Sequence, residues 1–220
     1  MSAFLNFSIE TVIPRVLDGM QITLLMTVVT TFCGILIGLL LALGRVSRLR
    51  LLSWPAVGYI TLFRGTPLVL QITMVHFGIV PALGMTPNPF LSVAIAMSLN
   101  AGAYIAEIIR AAIESIDKGQ MEAARSLGMS YGLGMRRIVL PQTFRRVLPP
   151  LVNEVVALTK DTSLAFAVGL VEMMQASRQI VSTTFKVLPV YFWTAVGYLI
   201  ITVALTWVAD RLERRLEARG

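Results

Sequence analysis

The chain has 220 residues, 56% of them hydrophobic and 14% charged, with a mean hydropathy of +0.76 and a formal net charge of +7. So apolar a composition excludes a soluble domain, which must cover its surface with polar groups, and the length allows several membrane crossings but no large soluble domain beside them. A single cysteine, Cys33, and a single histidine, His76, exclude a disulfide framework and a multi-ligand zinc site within one chain.

The opening, MSAFLNFSIETVIPRVLDGMQ, lacks the basic start, compact apolar core and small-residue cleavage site of a secretory signal. The first predicted crossing, residues 21–43, contains no charge and stops at Gly44 and Arg45. The second, 57–80, is interrupted by Arg64 and Pro67, where RGTP redirects the helix. A proline-rich loop, PALGMTPNP, precedes the third, 90–113, in which Asn100, Tyr104 and Glu107 are spaced i, i+4, i+7 and share one helical face.

Residues 118–146 form a polar insert. Helix formers run from Gln120 to Leu127, Gly128 offers the permissive backbone that ends a helix, and MSYGLGMRRIVLP returns as a second short helix. Glu122, Ala123 and Ala124 set one carboxylate beside two methyl groups, which suits either a docking knob for a partner's backbone or a solvated helical loop. The fourth crossing, 151–172, carries Asn153, Glu154, Lys160 and Asp161. A central charge costs roughly 2.5–3.5 kcal/mol on insertion scales, so these side chains must face other helices or water. Glu154 and Asp161, at i, i+7, share a face. The fifth crossing, 188–209, leads into the tail RLERRLEARG, where Arg211 with Arg215 and Glu213 with Glu217 stand at i, i+4, as in a charged helical extension.

Five crossings gather Arg45, Arg48, Arg50 and Arg64, the basic residues of the insert, and Arg211, Arg214, Arg215 and Arg219 on one side. Only Arg15, Arg178 and Lys186 remain for the other, so the crowded side is expected to be cytoplasmic and the amino terminus outside. The positive charge then points to anionic lipid headgroups and an acidic cytoplasmic partner, with no need of nucleic acid. A phosphate-binding loop needs G-x-x-x-x-G-K-[ST], whereas the three lysines precede Gly119, Asp161 and Val187; energy from nucleotide must come from another polypeptide. An intramembrane enzyme is disfavoured too: Ser163 has no signature of activation, and His76, near Gln71, reads as hydrogen-bonded packing.

At Glu122, Ala123, Ala124, Gly128, Ile138, Leu140 and Pro141, the stretch EAARSLGMSYGLGMRRIVLP resembles the EAA loop of permease subunits in bacterial ATP-binding-cassette (ABC) importers. YITLFRGTPLVLQ, LNAGAYIAEIIRAAIESIDKGQ and NEVVALTKDTSL are similar to the polar amino-acid branch of that family, and the four blocks cover most of the chain from Gly44 to Glu172. The resemblance implies an all-α integral membrane protein of the type I importer permease fold, with five transmembrane helices and a cytoplasmic coupling helix in the EAA loop. It implies a second permease, identical or paralogous, and two separate ATPase subunits that bind ATP and Mg, this chain holding no cofactor. It also implies an extracytoplasmic binding protein and a polar amino acid as cargo, in the bacterial cytoplasmic membrane.

On that resemblance the seven EAA-loop residues contact the ATPase. An amino acid carries an ammonium and a carboxylate, so Glu107, Glu154 and Asp161 are pathway candidates for the cation and Lys160 for the anion, with Gln71, Asn100 and Tyr104 beside them. The alternative is that these groups pair with one another or brace the seam between two permeases.

Overall fold

A computed structural model describes residues 6–47 and 49–217, and every regular element among them is helical. Helix α1, Ser8–Val46, begins with a π-helical turn and runs without a break, so the first predicted crossing occupies only part of a longer rod. At 1.5 Å per residue its 39 residues extend about 58 Å against a hydrocarbon core of about 30 Å. The surplus lies before residue 21, where Val12 and Val16 pack against Met173, Ile180, Val190 and Ile201.

Along the crossing itself α1 has two faces. Leu25, Val28, Phe32, Leu36, Leu39 and Leu43 are exposed, as a lipid-facing stripe requires. The opposite face is built of small residues, including the G-x-x-x-G pair Gly34 and Gly38, and lies against α4, Pro89–Glu114. A Cβ on Gly38 would stand 2.7 Å from Ile105 Cγ2, and one on Gly102 would stand 2.4 Å from Ile37 Cγ2. With almost no hydrophobic drive between helices inside a bilayer, such close backbone approach supplies the dispersion contact that holds the pair.

The second predicted crossing is two helices, α2 (Arg50–Arg64) and α3 (Leu68–Ala82), set at 101° across residues 65–67. A bend in hydrocarbon frees backbone groups that must be satisfied inside the protein. Here Phe63 carbonyl oxygen accepts from Gln71 Nε2 (2.9 Å) and Asn100 Nδ2 (3.1 Å), and Asn100 Nδ2 also reaches Gln71 Oε1 at 3.0 Å. The Tyr59 hydroxyl donates to Leu99 oxygen at 2.9 Å, tying α2 to α4. His76 Nδ1 and Ser92 Oγ, 3.0 Å apart, tie α3 to the same helix.

The insert opens with α5, Lys118–Ser126, and returns through α6, Tyr131–Gly134, and a π-turn at Met135–Val139 that continues into α7, Leu140–Asp161. The expected return helix is therefore the first turn of a helical run that reaches the middle of the protein. The fourth crossing is helical over only part of its predicted length, 151–172. α7 ends at Asp161, a 3-10 turn covers Thr162–Val168, and Gly169 turns the chain at φ 77°. Glu172 then lies in extended backbone as the N-cap of α8, Met173–Thr184. Its fully buried carboxylate accepts from the N–H groups of Met174 (2.9 Å) and Gln175 (2.8 Å) and from the Tyr198 hydroxyl (2.7 Å), which forbids a helix through this position.

Helix α9, Val187–Glu217, closes the chain and includes the start of the basic tail, where the Arg211 guanidinium lies 3.8 Å from the Trp207 ring centroid. Arg48 and Arg219 lie outside the described residues, as do the side chains of Glu213, Arg215 and Glu217. Among the described residues three helices are long and apolar enough to cross a membrane, Ser8–Val46, Pro89–Glu114 and Val187–Arg211; the bent pair α2 and α3 makes a fourth if counted as one span. α7 is not among them, since Arg145 and Arg146 near its start and Asn153, Glu154, Lys160 and Asp161 further on break its apolar run. A core of Met26, Ile72, Val93, Met97, Ile105 and Leu158 locks α1, α3, α4 and α7 together.

Candidate functional site

The insert is a compact helical hairpin whose turn follows from its sequence. Asp117 caps α5 by accepting from Gly119 N–H at 2.6 Å. At the far end Met129 N–H donates to Ala124 oxygen (3.1 Å) and Gly128 N–H to Arg125 oxygen (3.0 Å), a Schellman closure that needs the left-handed backbone of Gly128, φ 82°. Ser130 then caps α6 by accepting from Leu133 N–H at 3.3 Å. Buried Ala124 faces Gly134, where an added Cβ would stand 2.9 Å from Met121 Sδ, so the two legs meet through small residues. Gln142 Nε2 donates to Gln120 Oε1 at 3.2 Å, tying α7 to α5, and Arg146 Nη1 donates to Ser115 Oγ at 2.9 Å, tying α7 to the end of α4.

This packing sorts the seven EAA-loop residues. Glu122, Ala123 and Gly128 are exposed around the turn, with Leu127, 81% exposed, at the tip. Ala124 instead holds the hairpin together, and Ile138, Leu140 and Pro141 lie in the returning leg, with Pro141 in the first turn of α7. Sequence reasoning passed over Leu127 and Tyr131, the latter 53% exposed; two large side chains beside a helix-ending glycine were the signal for exposed apolar surface at the turn.

The intramembrane candidates divide into four groups. Gln71 and Asn100 are both buried and engage their amides at the bend between α2 and α3. Asn100 therefore bonds to the bend and does not line the cavity beside Tyr104 and Glu107, although the three follow one helical spacing. Tyr104, Glu107 and Glu154 do come together, lining a cavity of about 440 Å³ with Arg64 and Arg146 between the end of α2, α4 and α7. Arg64 lies over the Tyr104 ring at 5.1 Å, while Glu107 pairs with Arg110 and stands 3.6 Å from Arg45 Nε. Glu107 is thus already neutralised by two cations, whereas Glu154 makes no ion pair among the described residues.

Lys160 lies on the other shoulder of α7, exposed toward α9. It joins two clefts of about 330 and 450 Å³, and Thr206 and Asp210 join the second to a third of about 210 Å³ beside Asn153. The result is a groove along α7 and α9 edged by Tyr198, Thr202, Thr206 and Asp210, which recur every four residues on α9. That stripe was legible as an i, i+4 pattern and was hidden by the high overall hydropathy of the last crossing. Asp161, the last residue of α7, lines neither the cavity nor the groove.

Known proteins share this architecture. The family model described as "binding-protein-dependent transport system inner membrane component" matches residues 34–218. The chain is 39% identical to the arginine transport system permease protein ArtQ of Bacillus subtilis, over 94% of each chain. It is 37% identical to the glutamine transport system permease protein GlnP of Escherichia coli, over 93% of this chain and 94% of that one. Among solved structures, an amino acid ABC transporter crystallised with histidines superposes with a TM-score of 0.87 at 34% identity, covering 92% of this chain and 94% of the other.

Proposed function

The chain belongs to the inner membrane components of binding-protein-dependent transport systems, and from that premise we propose that it is the permease subunit of an ABC importer for polar amino acids, driven through residues 118–146. The arginine and glutamine transport for which its relatives are named supports an amino-acid cargo. Five crossings, with the bent pair α2 and α3 as the second and α7 with its 3-10 extension as the fourth, put the insert and the tail in the cytoplasm and the amino terminus outside, in keeping with the charge asymmetry.

The observation that carries this reading is the insert itself. It is a rigid hairpin, braced to the ends of α4 and α7, that presents Glu122, Ala123, Leu127 and Gly128 to solvent. A separate ATPase, which binds ATP and Mg, receives this tip in a groove; closing two such subunits displaces the hairpin and with it α4 and α7. Nucleotide states thereby bias inward-facing and outward-facing arrangements of two permeases, identical or paralogous, and a binding protein delivers the amino acid from outside. No bond in the cargo is made or broken.

The cargo's two charges suit the two clefts. Glu154 beside Arg64 and Lys160 in the α7–α9 groove offer an anion and a cation on the two shoulders of α7. Copurification of an ATPase with the permease, and amino-acid uptake into proteoliposomes, test the coupling. Gly128→Asp, which adds bulk and charge at the tip, is expected to abolish uptake while leaving membrane insertion intact. Full uptake with retained ATPase in that variant contradicts the reading.

A further inference from the structure

A cavity of about 1010 Å³ lies where the inner ends of α1 and α4 meet the insert. Leu39, Leu43, Ile109 and Ile113 wall it on the helix side, and Tyr131 and Arg125 belong to the insert. Among its lining residues Arg125 carries the only charge, and it has no carboxylate within ion-pair distance among the described residues. Leu39 and Leu43 belong to the lipid-facing stripe of α1, so the cavity is continuous with a surface that hydrocarbon covers. It also stands at the level of Ser47, where the charge-free run of α1 has ended, which is headgroup depth.

We propose that this cavity holds one anionic phospholipid, with an acyl chain between the ends of α1 and α4 and its phosphate on Arg125. The inference rests on the cytoplasmic orientation of the insert given above. A lipid tail fills an apolar groove facing hydrocarbon whatever its headgroup, so selectivity falls to the charge at the polar end. A lone guanidinium with the Tyr131 and Ser47 hydroxyls nearby favours a phosphodiester whose charge no headgroup ammonium offsets. An ATPase surface is the competing occupant, but the cavity opens between the insert and the membrane helices, whereas the exposed tip at Leu127 lies in the turn between α5 and α6. A lipid seated there braces the insert against α1 and α4, making coupling sensitive to membrane composition.

The test is native mass spectrometry of the permease released from membranes holding equal phosphatidylglycerol and phosphatidylcholine with the same chains. One phosphatidylglycerol per chain is expected to be retained in preference to phosphatidylcholine. Arg125→Gln lowers that preference about fivefold and Arg125→Lys keeps it. Leu43→Trp, which fills the groove but leaves the charge, abolishes retention of both lipids. Water-soluble glycerophosphoglycerol fails to compete. Equal preference in wild type and Arg125→Gln overturns the proposal, as does full competition by the soluble headgroup or loss of the lipid when the ATPase assembles. Because the lipid preference and its dependence on Arg125 are read on the permease alone, their failure is distinct from a failure of ATPase copurification.

Discussion

Single residues here act mainly by what their backbone or their amide must satisfy. Gly128 has open space where a Cβ would stand, so its constraint is the left-handed backbone rather than contact within this chain. Gly128→Ala is therefore expected to cost about 1 kcal/mol in thermal unfolding. Asn, which tolerates this conformation, should restore most of it. Asn100 stabilises through two acceptors at the bend, and Asn100→Leu, which leaves Gln71 Oε1 without its donor and Phe63 oxygen with Gln71 Nε2 alone, is expected to cost about 1–2 kcal/mol by the same measurement. Lys160 belongs to the other class, exposed in a groove and held by no ion pair among the described residues. Lys160→Met should lower uptake while leaving stability and ATPase copurification unchanged; full uptake would remove Lys160 from the pathway.

At the scale of elements, α1 and α4 interlock through glycines. Gly38→Val drives a branched side chain into Ile105 and is expected to cost about 1–3 kcal/mol, whereas Gly58→Ala in α2, with nothing within 4 Å of the added carbon, should be neutral or slightly stabilising. Unfolding midpoints of the two variants in one detergent check this contrast. The same elements show what the sequence made legible. The third crossing was readable to within one residue at each end because an N-capping Asn88 and Pro89 bound its apolar run. The early start of α1 was hidden because Glu10, Arg15 and Asp18 break the apolar run although Val12 and Val16 are core residues. The end of α7 was illegible for another reason. Glu172 reads as one more costly charge in a crossing, and nothing local announces that it caps α8 and takes a hydrogen bond from Tyr198, 26 residues on. Spacing placed Asn100 with Tyr104 and Glu107, but only the packing of α3 reveals that Asn100 is occupied by Gln71.

For the whole molecule the decisive relation is between a bundle that crosses the membrane and one polar hairpin outside it. α4 leads into the hairpin and α7 leaves it, so any displacement of the tip reaches both shoulders of the α7 clefts without a flexible joint from residue 131 to 161. On the proposed reading, this continuity is what would let nucleotide hydrolysis elsewhere open and close a path here. The most direct test is one reporter at the tip: Leu127→Cys in a Cys33→Ser background, treated with a membrane-impermeant maleimide in vesicles of each orientation, with and without the assembled ATPase. Labelling is expected only in inside-out vesicles, and the ATPase should suppress it. Labelling from the outside, or labelling unchanged by the ATPase, would contradict the account.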